Sequence, residues 1–171
     1  AMTPTLSPGV EDSCDPFVVI EDSTLVVTNG ECCSDESCFP NESCTARTCV
    51  DEGNPRFTLS WFGSNDLDIL VVTPQGTIIS YLKPEDPLTG GRFGEDYDQY
   101  EYGLHVENIY FPTRRDETFS GDGEYSIYVR KGLASDTDNE WTVGVYVNGE
   151  KQLSMNGTGN SEALKYILTP S

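Results

Sequence analysis

Six cysteines crowd toward the start of this 171-residue chain, at Cys14, Cys32, Cys33, Cys38, Cys44 and Cys49, and none follows. An even number packed so closely reads as a three-bridge staple, which forms in an oxidising compartment. Zinc is the competing use of such residues, but structural zinc sites favour paired Cys-x-x-Cys or His-containing spacings, and these are absent. The pairing is open at this level. Only a bond between the neighbours Cys32 and Cys33 is not expected, because it would strain the peptide between them.

The cysteine-bearing part has too little apolar material to fold unaided. Residues 1–55 hold two short apolar runs, Phe17 to Ile20 and Leu25 to Val27, and a segment this poor in core needs covalent support. The same residues carry eleven acids and one base, against eighteen and nine in the rest. The composition changes at Asp51-Glu52-Gly53-Asn54-Pro55, which has the polar, Gly/Pro character of a linker. The expected organisation is a flexible tether over 1–13, a cysteine-rich module over 14–55 and a larger domain over 56–171. The opening Ala1-Met2 reads as a cloning remnant, so a mature ectodomain or a piece of a larger protein is expected.

From Arg56 onward, short β-branched and aromatic runs alternate with Gly, Pro, Asn and Asp, the pattern of an all-β domain. Strands are expected near 56–62, 66–73, 77–83, 106–111, 124–131, 140–148, 150–155 and 162–168. Pro74-Gln75-Gly76 and Asn148-Gly149 mark tight hairpin turns. Trp61, Trp141 and the alternating Tyr125, Ile127 and Val129 are expected in the core. The fold class is all-β: an antiparallel β-sandwich, jelly-roll or immunoglobulin-like, behind a small disulfide-rich module.

Ten basic residues against twenty-nine acidic ones give a formal charge of -19, a field that repels nucleic-acid phosphates and anionic membrane surfaces. No run approaches the roughly 20 apolar residues of a membrane span. The single histidine, His105, excludes multi-histidine metal centres and is expected in solvent, and neither Gly-x-Ser-x-Gly nor His-Glu-x-x-His occurs. A non-enzymatic chain is expected. Two acceptor sequons, Asn41-Glu42-Ser43 and Asn156-Gly157-Thr158, fit a secreted glycoprotein.

One constellation has chemistry in it. In Asp66-Leu67-Asp68-Ile69-Leu70-Val71-Val72, strand alternation puts Leu67, Ile69 and Val71 on one face and both aspartates on the other. Leu70 and Val72 share the aspartates' face, so the strand is expected to be buried on both sides. Two carboxylates roughly 7 Å apart at the edge of a buried strand repel each other and lose solvation, costing several kcal/mol unless a cation sits between them. Calcium, which takes oxygen ligands from carboxylates, carbonyls and water, suits that position. Residues 84–105 form the longest stretch without a strand signal, and loops of that length in compact domains are functional or disordered. This one offers Asp96 and Asp98, with Glu107 just beyond. Gly90-Gly91 and Gly94 are expected to turn its backbone and aim carbonyl oxygens inward.

The order of these features resembles the YfaP-like family of β-sandwich domains of unknown function, over about residues 56–168. The matching pieces are Asp-Leu-Asp-Ile, the Thr-Pro-Gln-Gly turn, Gly90-Gly91 with Asp96 and Asp98, Glu107-Asn108-Ile109 and Gly123-Glu124-Tyr125. The resemblance implies an extracellular or cell-envelope accessory domain with Asp66, Asp68, Asp96, Asp98 and Glu107 as its cation cluster. Two departures stand out. Thr73 replaces an aspartate that would cap the turn, and Val106 replaces a proline that would fix the approach of Glu107.

The leading expectation is a secreted or cell-surface calcium-binding module with a structural or adhesive role. Its partners would be an extracellular-matrix or cell-surface polymer, protein or glycan, with neither nucleic acid nor direct membrane insertion. The alternative is a calcium-dependent carbohydrate-binding module in which Tyr97, Tyr100 and Tyr102 stack on sugar rings. A protease-inhibitor role for the cystine module is disfavoured, because Arg47 is the one base within its intercysteine loops.

Overall fold

The computed structural model describes the strand backbones of residues 17–21 and 24–28, and residues 32–94, 103–112, 121–132 and 139–169. Two hairpins come first, β1 (Phe17–Glu21) with β2 (Thr24–Thr28), and β3 (Glu42–Thr45) with β4 (Thr48–Asp51). Nine strands follow: β5 (Arg56–Gly63), β6 (Leu67–Val72), β7 (Ile78–Ile79), β8 (Arg92–Gly94), β9 (Gly103–Tyr110), β10 (Gly123–Lys131), β11 (Glu140–Val147), β12 (Glu150–Thr158) and β13 (Leu164–Leu168). They form two antiparallel sheets, ordered β13-β10-β6-β7 and β12-β11-β5-β9-β8.

The sheets pack face to face because each contributes one apolar face. Leu67, Ile69, Val71, Tyr125, Ile127 and Val129 from the four-stranded sheet meet Phe57, Leu59, Trp61, Ile109, Val143 and Val145 from the five-stranded one, all buried. This is the alternation expected of a sandwich. The indoles of Trp61 and Trp141 are buried too, and donate to the carbonyls of Asn65 and Gly159. The Tyr125 hydroxyl donates back to the carbonyl of Gly121, as in the tyrosine corners of Greek-key sandwiches. Burial, with Asp122 and Tyr166 nearby, pushes that phenol far above its ordinary range.

Several expectations change, and residues 84–105, expected without a strand, hold β8 and the start of β9. The strand expected over 77–83 shrinks to Ile78–Ile79, because Ser80 and Lys83 exchange backbone hydrogen bonds and close a turn of their own. The outward side of β6 is half-exposed rather than buried among the described residues, with Leu70 and Val72 beside Tyr128 and Ser126 of β10. Thr73 does cap its turn. Its Oγ1 accepts from the Thr77 backbone N–H and lies 2.7 Å from the Thr77 hydroxyl. The Asn148-Gly149 turn is as expected, with both residues at positive φ.

The disulfides Cys32–Cys44 and Cys38–Cys49 hold the β3–β4 hairpin to the chain before it, Cys44 and Cys49 facing each other across the hairpin. Cys33 is in neither bridge, and Cys14 lies outside the described residues. The hairpin packs on the outer face of the five-stranded sheet, where Ala46 and Val50 meet Val106 and Leu104 of β9. Beneath it the Arg56 guanidinium is buried, donating to Glu52 Oε1 (2.9 Å), Thr58 Oγ1 (2.6 Å) and Thr45 Oγ1 (3.2 Å), with the Tyr146 ring 3.6 Å away. Thr58 donates to Asn108, whose amide donates to the carbonyl of Asp51. The linker-like 51–55 segment lies along β9, with Asn54 N–H donating to the Phe111 carbonyl and Phe111 N–H to that of Pro55. Arg47 is buried in this seam and not displayed.

Candidate metal centre

The open edge of β6 positions the site. β7 pairs only with Val71 and Val72, so among the described residues no strand flanks the first part of β6 on that side. Glu107 reaches this edge from the opposite sheet. It stands opposite Leu59 in the β5–β9 ladder and two residues before Ile109, on the core-facing side of β9, where alternation calls for an apolar side chain. It is 1% exposed, and its Oε2 accepts from the backbone N–H of Ile69 at 3.0 Å. A carboxylate buried among apolar residues is costly unless compensated.

Asp68 on the outward side of β6 and Asp66 just before the strand meet it there. One carboxylate oxygen from each of Asp66, Asp68 and Glu107 lies within 4.8 Å of the others. Gly132, at the end of β10, permits this packing. Its N–H donates to the Asp66 carbonyl, and a Cβ at that position would lie 2.8 Å from Asp66 Oδ2. Opposite Asp68 in the β6–β10 register is Arg130, whose guanidinium donates to the carbonyls of Ser161 and Val129 and lies over the Tyr128 ring.

The donor set suits a hard cation. Oxygens bound to one calcium at about 2.3–2.6 Å lie at most about 5 Å apart, a limit that 4.8 Å meets. Thiolates and imidazoles, which would favour zinc or copper, are not part of this cluster.

Three of the five expected cation ligands are thus together, while Asp96 and Asp98 lie outside the described residues, as do Tyr97, Tyr100 and Tyr102. The chain enters their segment at Gly94, which pairs with Asn108, the neighbour of Glu107. Gly90-Gly91 does turn the backbone sharply, and the Gly91 carbonyl accepts from the Asp86 N–H. Gly90 has φ 78° and donates its N–H to the Asp86 carbonyl, and a Cβ on Gly91 would lie 2.3 Å from Ile79 Cδ1. Val106 packs under the cystine module, and Glu107 is held by the β5–β9 ladder. His105 is buried on β9, stacked against Trp61 and within 2.9 Å of the Gly63 carbonyl, not solvated. Asn41 and Asn156 are both exposed.

Gly132 escaped the sequence reading, since no motif announces a glycine that makes room for a carboxylate from another strand. Comparisons with protein-family models, curated proteins and solved structures found no match.

Proposed function

We propose that this chain is a secreted or cell-surface β-sandwich module in which Asp66, Asp68 and Glu107 hold a calcium ion, with a structural or adhesive role and no catalytic one. The observation behind it is Glu107, a carboxylate 1% exposed on the core side of its strand and within 4.8 Å of two more. Water and carbonyl oxygens would complete the shell, with Asp96 and Asp98 as the further candidates that the sequence offers. A bound cation offsets the repulsion among the carboxylates and joins β6 in one sheet to β9 in the other. The sandwich then presents a fixed surface to a matrix polymer, a protein or a glycan. The two disulfides support the oxidising compartment this reading requires.

The test is melting temperature against added calcium for the native chain and Asp68→Ala. A ligand that binds only the folded state stabilises it by about 2.7 kcal/mol at a hundredfold excess over Kd, so the native chain rises and the variant does not. An unchanged native melting temperature at millimolar calcium sinks the proposal. Calcium-dependent aggregation of coated beads supports adhesion, whereas silent beads with calcium-dependent binding on a glycan array replace it with carbohydrate recognition.

A further inference from the structure

The four sheet edges are unequally protected. β7 spans two residues, β8 three and β13 five, but β12 spans nine and pairs only with β11 among the described residues. Short edges offer little to a foreign strand, while a long exposed one is a template for pairing between copies. Near the far end of this long edge lies the sequon Asn156-Gly157-Thr158. Its geometry is open. Met155 packs toward the core and Gly157 against the Trp141 ring, so Asn156 stands on the outer face beside Thr142, exposed. The Thr142 hydroxyl donates to Asn156 Oδ1 at 2.8 Å, a bond that engages the amide oxygen and leaves the nitrogen for substitution.

We propose that Asn156 carries an N-linked oligosaccharide that guards the β12 edge against pairing between copies of the chain. This rests on the secreted reading above but not on calcium. In the transfer, Asn156 Nδ2 bonds to the anomeric carbon of a lipid-pyrophosphate-linked oligosaccharide, the lipid pyrophosphate leaves, and the amide gives up one proton to a base. The substituted nitrogen keeps the carbonyl oxygen free to accept from Thr142. A bulky solvated group on this face then bars a second strand from lying alongside residues 150–158.

The experiment directs the full chain into the secretory pathway of a eukaryotic host with an added leader. Occupancy is read by peptide mass mapping after peptide-N-glycosidase treatment in oxygen-18 water, which converts a glycosylated Asn156 into labelled aspartate. Sedimentation then compares the native, deglycosylated, Asn156→Gln and Thr158→Ala forms. The expected result is an occupied Asn156 and a monomer, with self-association several-fold stronger in all three glycan-free forms and new hydrogen-exchange protection across 150–158. Removing the other sequon with Asn41→Gln does not promote association. An unoccupied Asn156 overturns the site. An occupied one whose removal leaves association unchanged overturns the guarding role. Either result stands whatever the calcium titration shows.

Discussion

The outer face of the five-stranded sheet and the open edge of β6 both bury charge, and they do so in opposite ways. Under the cystine module, Arg56 meets Glu52, two threonine hydroxyls and the Tyr146 ring, so a buried cation has anion, acceptors and aromatic face from the protein itself. At the β6 edge three groups of one sign converge. The seam carries its own counter-charge and glues two parts of one fold together, whereas the cluster is where the calcium proposed above would sit. Substitution tests each half of that difference.

The largest effect is expected at the seam. Arg56→Ala leaves the half-buried Glu52 and the buried Thr58 without the guanidinium, and breaking such a pair by removing one partner costs about 3 kcal/mol, the lower end for a fully buried pair. Urea unfolding should show that loss equally with calcium and with chelator, because the seam has no dependence on added cation. A loss that calcium restores would mean that the two regions are one cooperative system.

A smaller effect, of changing sign, is expected at the cluster. Asp68→Asn removes one of three mutually repelling charges, so in chelator the variant should be more stable than the native chain by about 1 kcal/mol. In millimolar calcium it should be less stable, because a ligand has been lost. A seam residue cannot give this inversion. If Asp68→Asn destabilises the chain by the same amount in both conditions, the cluster is ordinary polar structure.

How much of this the sequence could reveal depended on whether a signal was local. The β11–β12 hairpin was legible because Asn148-Gly149 names its turn, and the core because Tyr125, Ile127 and Val129 alternate. The β3–β4 hairpin was hidden. Its two-residue turn places Ala46 and Arg47 at φ 48° and 63°, where Asn and Gly are the usual occupants, and burial against β9 holds them in that conformation. Asp66 and Asp68 could be paired from strand alternation alone, and the motif order that brought Glu107 to them could not say how it arrives. Its position on the core side of β9, reaching the gap left by a two-residue β7, exists only once both sheets are in register. How the linker-like 51–55 segment docks was hidden for the same reason, since Asn54 and Pro55 exchange backbone hydrogen bonds with Phe111, more than fifty residues later.

The smallest effect concerns another buried carboxylate, one held by hydroxyls and a backbone amide. Asp86 is 2% exposed and accepts from the hydroxyls of Thr77 and Thr89 at 2.6 Å and from the Leu88 N–H at 3.3 Å. Burial alone would push its carboxyl up, but these hydrogen bonds, with Lys83 nearby, outweigh burial and hold it below the usual range. A carboxyl depressed in the folded state contributes stability that is fully present above its unfolded value of about 3.9, and loses it as pH falls through the folded value. Asp86→Asn should therefore cost stability at pH 6, and the gap from the native chain should narrow as the pH drops below about 4. Urea midpoints at pH 6 and pH 3, both in chelator, measure it. A gap that stays constant would show that the threonine hydroxyls hold the asparagine as well as the aspartate, leaving the 80–91 loop fixed by shape and not by charge.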